Sequence, residues 1–123
     1  MKFDELSHRV IGCALEVHRH LGPGLLESSY EQCLAYELSA AKIPFELQCP
    51  VAVRYKQIKI DCAYRVDVLI DDTIILELKS VDKILPIHQA QLLTYMKLKD
   101  ISLGLLINFN VKYLRDGIKR MVL

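Results

Sequence analysis

The 123-residue sequence predicts one α/β domain on a mixed sheet, with two helices ahead of three strands and then a further helix and strand. Three observations carry this. Apolar residues recur every three or four positions up to about Ala41, the period falls to two from Phe45 onward, and the last third reads as strand, helix, strand. A single domain over residues 1–123, with 52% hydrophobic content, can bury a core without disulfides or a structural metal.

The first helix is expected from Asp4 to about His20, where Leu6, Val10, Cys13, Ala14, Val17 and Leu21 form one apolar face. It stops at Leu21-Gly22-Pro23-Gly24, because the glycines permit positive φ and proline has no amide hydrogen to continue the ladder. A second helix runs from about Leu25 to Ala41, with Leu26, Tyr30, Cys33, Leu34 and Leu38 at helical spacing. Beyond Pro44 the side chains alternate, from Phe45 to about Tyr55 and again from Ile58 to Ile70. In the second run Ile58, Ile60, Cys62, Tyr64, Val66, Val68 and Ile70 share one face, with Lys59, Asp61, Ala63, Arg65, Asp67 and Leu69 on the other. A third strand, Ile74 to about Ser80, sets Ile74, Leu76 and Leu78 against Ile75, Glu77 and Lys79, so a three-strand meander results. Pro86 suits the first turn of a helix reaching about Leu98. The apolar run Ile101 to Phe109 reads as a strand covered on both faces, and a right-handed crossover makes it parallel to the strand of Glu77. Gly117 to Val122 reads as a short edge strand.

Sixteen basic and fifteen acidic residues give a formal net charge of +1, so composition supplies no global attraction to nucleic acid, and any basic surface is local. Lys83, Lys97, Lys99, Arg115, Lys119 and Arg120 are candidates for such a rim. Cys13, Cys33, Cys49 and Cys62 fit neither a zinc pattern nor a redox pair, and buried free thiols are expected. The first residues lack the apolar run of a signal peptide, and no stretch approaches the ~18 apolar residues of a membrane span. A cytoplasmic, reduced protein with no membrane contact is expected.

The chemistry concentrates in Arg65-Val66-Asp67 and Glu77-Leu78-Lys79, which place two carboxylates and an amine on adjacent strands. A two-residue loop at Asp71-Asp72 would send Asp67 and Glu77 to opposite faces. A three-residue loop, Asp71-Asp72-Thr73, sets them opposite each other with Cβ atoms roughly 5 Å apart, and this loop or an equivalent bulge is predicted. Facing carboxylates in an apolar sheet repel unless a cation lies between them. Their oxygen ligands suit Mg²⁺ or Mn²⁺, which can activate water at a phosphodiester, and Lys79 could orient that water or neutralise charge. The competing reading is a solvated strand face, which the apolar Ile74, Ile75, Leu76 and Leu78 weaken.

At these residues the sequence resembles the PD-(D/E)XK nuclease superfamily, and within it the GxxExxY proteins. Gly24-Leu-Leu-Glu27-Ser-Ser-Tyr30 matches that name. VHRHLGPGLLESSY, YRVDVLID, ILELKS, HQAQLLTYM and LLINFN look like the successive blocks of the family along nearly the whole chain. The resemblance implies a restriction-endonuclease-like α-β-β-β-α-β core with an additional N-terminal helix. It implies that Asp67 and Glu77 bind Mg²⁺ or Mn²⁺ with Glu27 and the carbonyl of Leu78, and that Lys79 assists the water. Gln91 and Tyr95 would contact that water or a phosphate. Val66 replaces the familiar proline and leaves the carboxylate in place.

Taken without the resemblance, Glu27 is a helix-dipole partner and Tyr30 a core residue. His18, His20 and His88 suit surface or capping roles as well as a cleft. Arg65 could hold a phosphate or pair with Asp61. The expected activity is metal-dependent phosphodiester hydrolysis, on DNA in preference to RNA, with a homodimer as one way to widen the groove. A nucleic-acid- or protein-binding module with weak or accessory catalysis is the alternative.

Overall fold

The computed structural model describes residues 3–61 and 63–123, with side chains from Glu5 onward. Cys62, placed above in an alternating strand and among the thiols, lies outside the described residues, as do the side chain of Asp4 and residues 1 and 2. In chain order the elements are α1 (Phe3–Leu21), α2 (Glu27–Ala40), β1 (Phe45–Pro50), β2 (Val53–Tyr55), β3 (Ile58–Ile60), β4 (Arg65–Ile70), β5 (Ile74–Lys79), α3 (Pro86–Lys99), β6 (Leu103–Asn108), a 3₁₀ turn at Leu114–Gly117 and β7 (Ile118–Val122). Five strands form one sheet in the order β1-β4-β5-β6-β7, in which β5 and β6 are parallel and the other neighbours antiparallel. The expected α-β-β-β-α-β core with a helix ahead of it is therefore present, as α2, β1, β4, β5, α3 and β6 behind α1.

Burial explains the layering. Val10, Val17, Tyr30, Leu34 and Leu38 pack α1 and α2 against Ile70, Leu76, Leu105 and Ile107 on one face of the sheet. On the other face Leu92, Tyr95 and Met96 of α3 pack against Leu69, Ile75 and Leu106. Gly104 of β6 permits the approach of α3, since a Cβ there would sit 2.7 Å from the Met96 Sδ and 3.0 Å from the Leu92 Cδ1. α1 ends where the Gly22 N–H bonds the His18 carbonyl at 2.8 Å with Gly22 at φ +67, a left-handed cap that suits glycine.

Two expectations need correction. The long alternating runs are each broken, because β2 and β3 form a separate two-stranded hairpin rather than parts of the main sheet. The Val51 N–H bonds the Tyr64 carbonyl at 2.8 Å across the neck of that hairpin, and Ala63 takes φ 58, so the alternation of Ile58 to Ile70 does not run through. Nor do Val66 and Val68 share a face. Val68 packs under α1 and α2 with Leu47, whereas Val66 packs under α3 with Cys49. The reversal falls where Gln48 adopts φ 51 and the β1–β4 pairing skips from Leu47↔Val68 to Cys49↔Val66. A left-handed residue rotates the strand, and the skipped position on β4 is Asp67.

Candidate active site at the β4–β5 strand break

The β4–β5 hairpin closes through the expected three residues, because Ile70 pairs with Ile74 across Asp71-Asp72-Thr73. Asp71 and Asp72 take φ 48 and 52, and the Thr73 N–H bonds the Ile70 carbonyl at 2.8 Å, a mirror-image turn that aspartate tolerates. The pairing Val68↔Leu76 is the last regular rung, so the next position sets Asp67 opposite Glu77. There the side chains replace backbone carbonyls as acceptors. The Asp67 N–H donates to Glu77 Oε2 at 3.1 Å, and the Leu78 N–H donates to Asp67 Oδ2 at 2.8 Å.

Glu77 is 6% exposed. Burial first and the adjacent Asp67 carboxylate second push its carboxyl up, the Asp67 N–H and the Lys79 ammonium oppose the shift, and the net value is about 9. Lys79 is half-buried, and its carbonyl accepts the Phe109 N–H at 2.9 Å.

Asp67 borders a cavity of about 150 Å³ lined by Glu27, Ser28, Glu31, Gln48, Asp67 and Leu78. Gln48, swung out by its left-handed backbone, donates from Nε2 to Glu31 Oε1 at 2.6 Å and to Asp67 Oδ1 at 3.5 Å. Burial also raises the Glu31 carboxyl, with Gln48 lowering it and Asp67 raising it. The loop before α2 is held on three sides. The Tyr30 hydroxyl donates to the Gly22 carbonyl at 2.6 Å and accepts from the Leu25 N–H at 3.2 Å, while its ring stacks on Phe109 at 4.4 Å. Ser80 Oγ, just after β5, donates to the Leu25 carbonyl at 2.6 Å. Glu27, in the first turn of α2 and exposed, is thereby presented to the cavity. The spacing Gly24, Glu27, Tyr30 thus has a physical basis, with Gly24 at φ +99 supplying the turn.

The family model of the PD-(D/E)XK nuclease superfamily matches residues 4–121. The chain belongs to that superfamily. No curated protein and no solved structure matches the chain. PD-(D/E)XK nucleases usually hydrolyse phosphodiester bonds, which implies a nucleic-acid substrate, and they generally use divalent metals. Among the described residues no helix is long and apolar enough to cross a membrane.

Against that superfamily pattern, the residues singled out in the sequence are brought together only in part. Asp67, Glu77 and Leu78 meet at the strand break, and Glu27 shares the α2-side cavity with Asp67 and Leu78 but not with Glu77. Gln91 and Tyr95 lie on the α3 side, with Gln91 Nε2 donating to the Tyr95 hydroxyl at 3.1 Å. Tyr95 packs on the sheet face that carries Glu77; burial and then the charge of Glu77 raise its phenol. It opens on a second cavity, of about 370 Å³. Among the described residues no three His, Cys, Asp or Glu side chains are gathered closely enough to cage an ion. The donor chemistry nonetheless fits a divalent cation. All the donors are oxygens, and the Asp67–Glu77 pair carries more negative charge than its burial tolerates without a proton or a cation.

The remaining candidates have local partners. His18 is buried, and its Nε2 contacts the Val111 carbonyl at 2.8 Å, so it anchors the chain after β6 instead of lying at the surface, capping a helix or lining the cleft. His20 pairs with Glu16 on the surface, and His88 accepts the Leu85 N–H at the start of α3, as a capping role requires. Arg65 donates to the Gln48 carbonyl at 3.3 Å rather than pairing with Asp61, which accepts the Ala63 N–H. Lys99 donates to the Pro50 carbonyl and Arg115 lies over the Tyr113 ring, so these two members of the suggested basic rim hold their own chain. Cys13, Cys33 and Cys49 are free; the first and last are buried and Cys33 is partly so. Sequence reasoning passed over Glu31 and Gln48. The signal for Glu31 was available, since it stands four residues after Glu27 and so on the same helix face.

Proposed function

We propose that this chain is a Mg²⁺-dependent nuclease of the GxxExxY group, with Mn²⁺ as a substitute and DNA as the preferred substrate. The observation that supports it most strongly is the pair of bonds at the strand break, from the Asp67 N–H to Glu77 and from the Leu78 N–H to Asp67, which sets two carboxylates into a largely apolar sheet. Asp67, Glu77 and the Leu78 carbonyl would hold the ion, with Glu27 completing the acidic set. When bound, the ion supplies charge neutralisation at the scissile phosphate and a more acidic water.

The chain's own groups do the rest. The Leu78 N–H fixes Asp67 Oδ2 and leaves Oδ1 turned toward Gln48 and the cavity. Lys79 shares the face of Glu77, close enough to oppose its protonation, and is the group to hold the attacking water or meet charge on the phosphate. Gln91 and Tyr95 present an amide and a phenol on that side to a phosphate oxygen or a water.

Purified protein incubated with single- and double-stranded DNA and RNA is expected to cut DNA with Mg²⁺ or Mn²⁺ and not with EDTA. Asp67→Ala and Lys79→Ala should each lower the rate by at least about a hundredfold, the scale of losing a positioned charge in the transition state. Wild-type rates in either variant would exclude this chemistry.

A further inference from the structure

On the α3 side of Glu77 lies a groove of which the hydrolytic reading uses only Gln91 and Tyr95. Its walls are Val53 of β2, Tyr64, and Ile87, Gln91, Tyr95 and Leu98 of α3. Tyr95 is 7% exposed and forms the floor; Tyr64 is 44% exposed and presents its ring to solvent. The two rings are 6.3 Å apart and inclined at 53°, so they cannot sandwich a flat ligand between them, and stacking is available on the Tyr64 face. Ile87 and Leu98 are exposed apolar side chains.

Two features limit what fits there. The groove contains no carboxylate, whereas the cavity on the α2 side of the strand break holds Glu27, Glu31 and Asp67. A polyanion therefore meets less repulsion from the α3 side. The second feature is the β2–β3 hairpin, which carries Arg54, Lys56 and Lys59 and no acid from Val53 to Ile60. The pairing Arg54↔Lys59 sets two of these cations side by side, and Lys56 lies 5.4 Å above the Tyr55 ring. Val53, Tyr55, Ile58 and Ile60 take the opposite face, which includes the groove wall, and Lys59 meets the other side of Tyr64 in an adjoining cavity that Asp61 and Arg65 also line. An exposed aromatic platform beside a basic ribbon is the combination that binds unpaired nucleic-acid strands.

We propose that this groove seats an unpaired nucleobase of the strand being cut, stacked on Tyr64, with the β2–β3 hairpin holding the neighbouring phosphates. The substrate class is then single-stranded or frayed nucleic acid rather than continuous duplex. This rests on the nuclease reading for the identity of the ligand.

The test measures binding of fluorescein-labelled oligonucleotides by anisotropy in EDTA, and cutting of the same oligonucleotides with Mn²⁺. Wild type should bind a single strand at least about tenfold more tightly than the blunt duplex. Tyr64→Ala should weaken single-strand binding roughly five- to a hundredfold, the range of one lost base stack, while Tyr64→Phe should match wild type. An abasic site moved along the strand should weaken wild-type binding at one position, and at that position Tyr64→Ala should add no further loss, which a merely structural role of Tyr64 would not produce. Equal binding of duplex and single strand, an unchanged Tyr64→Ala, or wild-type dimerisation lost in Tyr64→Ala without any effect on oligonucleotide binding would overturn this proposal alone. Failure of wild type to bind or cut any nucleic acid would overturn the nuclease reading with it.

Discussion

At the scale of single residues, Glu77 couples the chemistry to stability. Its carboxyl is raised to about 9 in the folded chain from an ordinary 4.5, so the Asp67–Glu77 pair retains a proton that the unfolded chain releases. Between those values the folded state binds the extra proton, and stability falls as pH rises, by at most about 1.4 kcal/mol per pH unit. Urea unfolding in EDTA at pH 5, 7 and 9 should show that decline, and Glu77→Gln should flatten it. Parallel curves for the two proteins would mean that Glu77 is already ionised at neutral pH. Added Mg²⁺ should restore wild-type stability at pH 8, since a ligand of the folded state stabilises it by mass action.

Elements set where these residues sit. Tyr30 ties the start of α2 to the Gly22–Leu25 loop, so Tyr30→Phe, which retains the ring on Phe109, should cost about 1 kcal/mol for the lost hydroxyl bonds. It should also slow DNA cutting by loosening Glu27. Unchanged cutting in a destabilised Tyr30→Phe would mean that Glu27 takes no part in the chemistry. Gly104→Ala crowds the buried Met96 and Leu92 side chains of α3, which must shift, and overpacking of this kind costs about 1–3 kcal/mol. Because α3 carries Tyr95 and Gln91, its cutting rate should fall even at temperatures where the chain is fully folded by circular dichroism.

The legibility of these elements in the sequence has physical limits. The change of period after Pro44 and the Asp71-Asp72-Thr73 loop could be read because hydrophobic alternation and turn chemistry are local. The rotation at Gln48 could not, since a left-handed glutamine has no sequence signature and is held there by tertiary contacts. At that position the paired Cys49 and Val66 pass to the other core, and the Gln48 amide bridges Glu31 and Asp67. Ala63 and Tyr64 continue an alternating pattern by composition, yet they lie outside the strands because the Tyr64 carbonyl closes the neck of the hairpin on the Val51 N–H. The juxtaposition of Asp67 and Glu77 was legible from register; the separation of Asp67 and Glu27 on the α2 side from Gln91 and Tyr95 on the α3 side was not, because sequence spacing gives register but not which side of a broken sheet a side chain faces.

At the scale of the whole molecule, a net charge of +1 conceals separated fields, with carboxylates on the α2 side of the strand break and cations on the β2–β3 hairpin. If three hairpin cations meet phosphates, single-strand affinity should fall with salt at a log–log slope of about −2. A slope near zero would place the nucleic acid elsewhere. If Asp67 and Glu77 share a divalent cation, as proposed, crystals will reveal it. Crystals soaked in Mn²⁺ should show an anomalous peak bounded by the carboxylates of Asp67 and Glu77 and absent in Asp67→Ala. Saturating Mn²⁺ with no peak there, or a peak that persists in Asp67→Ala, would contradict it.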